Sequence, residues 1–318
     1  MMLSRVGGSL YWMGRYLERG ENVTRLLAVT SDFAIEFGGL DEALAQAEWD
    51  DLVRSLPGSK IPAIDFSPEQ GLAVPYVNAM LLDDQNPLSV RHSLGRAREN
   101  ARSIREALTQ EVFANLNETF RGLETLSREG IEDPAVSAEI VAKTHRAILT
   151  TLGAIEHTLS RDQGWTFMKF GEALERTLRT LMVLKAKLPL LRVEAGSVDL
   201  PVFYARWRCL LRSVGSLENF RRVHGAGLDP DEVVRFLLFD PHTPRSIHCG
   251  LTRVKAYLEQ LPGGDRSKAA RIAGRLVAMM TYEDDRILAK PDLVDFCDET
   301  SLELGAIHEA VERQYFSV

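Results

Sequence analysis

The chain has 318 residues, 45% hydrophobic and 26% charged, with a formal net charge of −7. Its length exceeds the comfortable size of a single core, so one large or two medium globular domains are expected. The negative balance argues against nucleic acid as a partner, and no run of about 18 apolar residues offers a membrane span.

Cys209, Cys249 and Cys297 are scattered singly with no CxxC spacing. Such an odd, sparse set reads as reduced thiols in a cytoplasmic protein. The opening MMLSRVGGSLYWMGRYLERGENV has no apolar core long enough for a signal peptide.

Taken in chain order, the elements are helical. SLYWMGRYLERGENVTRLLAV repeats apolar residues every three or four positions, the pattern of an amphipathic helix. Segments 87–108, 133–159, 163–188, 201–222, 245–261 and 266–288 share that period. Ser67–Gln70 (SPEQ) reads as a capping box. Asn86 and Thr243 are expected as N-caps, each followed by a proline at the first helical position. Asp229 opens another helix in DPDE, and Asp162 could cap the segment at 163. PGSK (57–60), HGAG (224–227) and PGGD (262–265) read as turns, and 57–66 as a loop. With β-branched alternation nearly absent, the expected fold class is all-α, a helical bundle with short connections.

Four blocks recur in the same order at a spacing of 156 to 158 residues. LSR appears from Leu3 and from Leu159. GRYLER (Gly14–Arg19) is echoed by GEALER (Gly171–Arg176). WDDLVRS from Trp49 matches WRCLLRS from Trp207, and LLDDQNPLSV from Leu81 matches LFDPHTPRSI from Leu238. This pattern predicts two tandem homologous halves, 1–155 and 156–318, packed as one unit with pseudo-twofold symmetry.

The shared Glu-Arg pair carries most of the chemical information. Counted around a helix, Glu18 lies in line with Tyr11, Arg15, Asn22 and Arg25. Arg19 lies about 100° away, in line with Trp12, Tyr16, Val23 and Leu26, so it is expected to be half-buried. In the second copy Glu175 and Arg176 recur, but Glu172 stands in the place of Arg15 and Arg179 in the place of Asn22. One reading pairs each glutamate with the arginine of the other copy as a structural ion pair. The other is an inter-repeat cleft, in which Arg15, Arg19, Asn22 and Arg176 bind a carboxylate or phosphate and Glu18 and Glu175 take an amine or act as bases.

Further arginines are candidate ligand-binding residues. GRARENARSIRE contains Arg96 and Arg98, on a helix that is either a solvated surface or an anion-facing wall. The chain has no HExxH, P-loop, GxGxxG or GxSxG. Neither a metal nor a cofactor is therefore expected. Cys249 beside His248 makes a poor nucleophile and base, because adjacent helical residues diverge by about 100°.

MLSRVGGSLYWMGRYLERGENVTRLL, LSRDQGWTFMKFGEALER and NPLSVRHSLGRARENARSIRE together resemble the bacterial Alpha-E domain family over nearly the whole chain. The resemblance carries the family motif onto Glu18, Arg19, Glu175 and Arg176, with Arg5, Arg161, Arg96, Arg98, Glu99 and Asn100 accompanying it. It implies a gene neighbour of the circularly permuted ATP-grasp type, and so a helical partner or subunit of an amide- or peptide-bond-forming ligase. No independent catalytic motif accompanies that role, and self-association is left open. The alternative is a non-catalytic interaction scaffold. Glu172, where the family's second copy tends to be basic, is a departure from the pattern.

Overall fold

The computed structural model describes residues 4–39, 41–61, 73–193, 200–282, 284–288 and 293–317. Ser67–Gln70, with its expected capping box, lies outside them. The described residues form fourteen α-helices, a few short helical turns and no β-strand. The fold is all-α, as the periodicity dictates. By compactness the chain divides into Met1–Met168 and Lys169–Val318.

The first unit is organised around α1 (Ser4–Phe37). At about 1.5 Å per residue its 34 residues span roughly 50 Å. It packs most extensively against α4 (Val90–Ser103), then against α6 (Pro134–Thr158) and α2 (Glu42–Arg54). Leu17 and Val23 are fully enclosed, and so are polar neighbours such as Glu18 and Thr24. Gly14 is required by close approach: a Cβ there would stand 2.2 Å from the carbonyl oxygen of Met168. α5 (Gln110–Glu129) lies on α6 and α4.

The link from α2 to α4 runs through α3 (Ala73–Val77) and a wider helical turn, Asn78–Leu82. Trp49 of α2 stacks on Tyr76 of α3, with ring centroids 4.8 Å apart. Asn78 clamps Ile131, donating to its carbonyl at 2.8 Å and accepting from its N–H at 3.1 Å.

Two expected helix starts are displaced. Ser89, not Asn86, caps α4, accepting from the His92 N–H at 3.1 Å. Asn86 and Pro87 form a turn before it, closed by Ser89 N–H donating to the Asn86 carbonyl at 3.0 Å. Proline at the second position of such a turn is as favourable as at the first of a helix. The same shift recurs later, where Ser246 rather than Thr243 caps α11 (Ile247–Gln260).

The second unit holds most of α7 (Gln163–Val193), whose N-terminus Asp162 caps by accepting from Trp165 N–H at 3.0 Å. α8 (Leu200–Ser213), α9 (Leu217–His224), α10 (Pro230–Phe239) and α11 follow. α12 (Lys268–Tyr282), α13 (Asp284–Leu288) and α14 (Leu293–Val311) complete it. α12 packs between α11 and α14. α7 meets α11 where Gly250 faces Thr177.

The single helix expected over 201–222 is broken into α8 and α9. Gly215 takes φ +62°, a conformation that suits glycine. Its N–H and that of Ser216 return to the carbonyls of Arg212 and Leu211 at 2.9 and 2.8 Å, closing the helix end.

Candidate functional site

α1 carries a buried polar face built by helical spacing. Tyr11, Arg15, Glu18, Asn22 and Arg25 alternate at steps of four and three, and each is no more than 7% exposed. Enclosed guanidinium groups need partners. Arg15 donates to the Tyr11 hydroxyl at 3.2 Å and lies 5.1 Å from the Trp12 ring centroid. Arg25 pairs with Glu21, one turn back. The same Glu21 oxygen meets His145 Nε2 of α6 at 3.1 Å, which ties α1 to α6. Asn22 differs from these neighbours, because its side-chain oxygen is buried without a hydrogen-bond partner.

Arg19 sits on the next face, half-buried as the spacing implies, 5.2 Å from the Tyr16 ring. Hydrogen bonding to the Tyr16 oxygen, with Glu99 adding to it, holds the Arg96 guanidinium of α4 above its usual value.

α7 bears a second set. Glu175 is fully enclosed and accepts from Arg179 at 2.8 Å. Glu172 lies between Lys169 and Arg176, each 2.5 Å from one of its oxygens. Burial pushes the Glu172 carboxyl up, but Arg176 and Lys169 outweigh it and hold it below the ordinary carboxylate value. Lys187 and Arg206 are also buried, and Lys187 Nζ lies 3.8 Å from Cys209 Sγ.

Within the first unit the structure gathers Arg15, Glu18 and Asn22 on one helix face, with Arg19 beside them. Arg5 is exposed near the start of α1. Arg96 is exposed and pairs with Glu99. Arg98 donates to Asn117 at 2.7 Å and lies over Phe120, so it fastens α4 to α5. Arg161 binds Glu156 at 2.8 Å and lies 4.3 Å from the Trp165 ring, bracing the loop between α6 and α7. In the second unit Glu175 and Arg176 share α7. The sequence reading missed the Glu21–His145 contact and the partnership of Lys169 with Glu172. The latter pair is visible as an i,i+3 spacing, whereas no local pattern points to His145.

Two open grooves lie elsewhere. One of about 600 Å³ runs between α5 and α6, past Gly122, Leu123, Lys143 and Ala147. Another of about 480 Å³ lies between α12 and α14, beside Met279 and Tyr282. Neither is lined by the Glu-Arg residues. Among the described residues no cluster of three or more His, Cys, Asp or Glu side chains could hold a metal ion, and no helix is long and apolar enough to cross a membrane. Burial pushes the Cys249 thiol up, and His248 Nδ1 faces the Phe239 carbonyl at 3.1 Å, so the two do not make a nucleophile and its base.

The sequence model of the Alpha-E family, described as a predicted alpha-helical domain with a conserved ER motif, matches residues 2–316. Uncharacterized proteins of Mycobacterium bovis and Mycobacterium tuberculosis are each 29% identical over 276 residues. The match covers 83% of this chain and 30% of each relative, so the chain spans about a third of their length. No solved structure matches.

Proposed function

The chain belongs to the Alpha-E family, and from that premise we propose that it is the helical partner or subunit of an ATP-grasp-type amide or peptide ligase in the cytoplasm. The observation that carries this reading is the enclosure of acidic side chains on the motif helices. Glu18 and Glu175 are fully buried, in a chain where most charged residues are solvated. Burying carboxyl groups costs stability that pairing only partly offsets, and recognition of a charged group is one reason to retain them. In this reading the arginines hold a carboxylate or acyl phosphate, while Glu18 or Glu175 takes an amine. The curated relatives support an accessory role, since their matched region is only 30% of a longer chain.

We also propose that the chain arose by duplication of one unit. The order of elements supports this. Long helices α1 and α7 are followed by α2 and α8, of 13 and 14 residues. Ser-capped α4 and α11, each of 14 residues, are both followed by a three-residue 3₁₀ turn.

Arg19→Met tests the ligase reading. Lost activity of the co-expressed ATP-grasp protein, with helicity and Tm unchanged, is the expected result. A folded variant with full activity overturns it. The second reading, a non-catalytic scaffold, is favoured by polar contacts satisfied inside one unit, such as those of Glu21 with Arg25 and His145. On that reading Arg19→Met lowers Tm and leaves activity per folded molecule intact.

A further inference from the structure

α5 and α6 form an antiparallel hairpin that buries only part of its apolar surface. On α5 Val112, Leu116 and Leu123 are enclosed. Leu126 of α5 and Ile140 of α6 stay half-exposed, lining the open groove of about 600 Å³ between the two helices. The groove has small residues on both walls, Gly122 on α5 and Ala147 on α6. A Cβ at Gly122 would find nothing within 4 Å. Glu118 on the α5 wall and Lys143 on the α6 wall are both exposed, and among the described residues neither has an ion-pair partner.

We propose that this groove is the contact between two copies of the chain, which join their α5–α6 hairpins into a four-helix bundle. The charges favour a second copy over a foreign partner. One carboxylate on one wall balances one ammonium on the other, so a strongly acidic or basic partner is not favoured there. A twofold axis running along the groove lays α6 of each copy over α5 of the other. The hairpin turns between Glu129 and Pro134, so Glu118 and Lys143 stand within about 3 Å of the same height at 1.5 Å per residue. The axis therefore brings each glutamate opposite its partner's lysine, and two ion pairs form together, as a self-complementary interface requires. The face is also large enough. α5 has 20 residues, so it is about 30 Å long, and two helices side by side are about 20 Å across, giving on the order of 600 Å² per copy. Roughly 1,200 Å² in all is the lower end for a specific interface, so the dimer is expected to dissociate on dilution. The assignment is independent of the ligase reading.

Sedimentation velocity of the full chain over a concentration series is the test. A monomer–dimer equilibrium is expected, weakened by salt, which screens exposed charges. Glu118→Lys and Lys143→Glu each set like charges against each other at both contacts, and each should weaken association about tenfold or more. An equimolar mixture of these two variants should associate as well as the wild type, because in the mixed dimer every lysine again meets a glutamate. Gly122→Arg fills the groove with a better helix former and should give a monomer with unchanged helicity. A wild-type chain that is monomeric at every concentration overturns the proposal. So does a dimer that Gly122→Arg or both charge reversals leave intact, or a mixture no stronger than its components. A monomer in which the ATP-grasp protein covers Gly122 instead assigns the groove to that partner and removes the second copy.

Discussion

Arg179 reaches one turn back along α7 and lays both Nε and Nη2 on the same oxygen of Glu175, each at 2.8 Å. Neither side chain is more than 7% exposed. Removing one partner of a buried pair strands the other, which costs more than the pair contributes. Arg179→Met is expected to lose about 3 kcal/mol in urea unfolding. The double variant Glu175→Leu with Arg179→Met should recover most of that loss, since two apolar side chains need no charge partner. A double variant as unstable as the single one would mean that packing volume, not the loss of this charge pair, sets the cost.

Glu172 gives the molecule an acid limb. Its carboxyl is held below the ordinary value by Arg176 and Lys169 against the opposing effect of burial. A depressed folded value means that the unfolded chain takes up the proton first. The stabilisation is complete above the unfolded carboxylate value of about 4.3 and is lost as pH falls through the lower folded value. Urea midpoints measured between pH 7 and pH 3 should therefore fall below about pH 4.3, and the fall should be shallower in Glu172→Gln. Equal slopes in the two proteins would remove Glu172 as the source.

Much of this architecture was legible in local patterns. The three-and-four spacing of Tyr11, Arg15, Glu18, Asn22 and Arg25 puts them on one face, and the ring-bearing neighbours of Arg19 foretell its half-burial. Helix spacing does not say which face is enclosed, so the depth at which Glu18 and Asn22 sit needed the packing of α4 and α6 on α1. His145 reaches Glu21 across 124 residues of sequence, and no local rule anticipates such a partner. α5 escaped the periodicity because only Val112, Leu116 and Leu123 are buried along its 20 residues, a stripe too thin to stand out. The break at Gly215 is written in SVGS, but a glycine that ends a helix and one that is merely tolerated look alike until φ is known.

Gly250 lets α11 approach α7. A Cβ there would stand 2.3 Å from Thr177 Oγ1 and 3.2 Å from Thr177 Cβ. Thr177 Oγ1 is itself held by the Ala173 carbonyl at 2.8 Å, so it cannot swing away without losing that bond. Gly250→Ala is expected to cost about 2 kcal/mol through overpacking. Adding Thr177→Ala should return more than half of it, because it removes Oγ1 and Cγ2, two of the three Thr177 atoms that crowd the new Cβ, and leaves only Thr177 Cβ. Calorimetric Tm values of the two single variants and the double variant form the cycle that measures this coupling.

The displaced helix starts make the last prediction. Ser89 and Ser246 each accept the N–H three residues on, at 3.1 Å, so Ser89→Ala and Ser246→Ala should each cost about 1 kcal/mol, the usual worth of an N-cap. Asn86 does something different. It is fully buried, donates to the Ala79 carbonyl at 3.1 Å, and accepts from Leu88 N–H at 3.1 Å and Lys60 N–H at 3.2 Å. Asn86→Ala would leave the Ala79 and Leu88 groups without this partner inside the protein, at about 1–3 kcal/mol for each buried group stranded. The expected order in urea unfolding is therefore Asn86→Ala well below Ser89→Ala. Were Asn86 only a helix cap, the two losses would be equal, and Asn86→Ser would restore full stability; the tie across three segments predicts that serine, which is too short to span them, restores little.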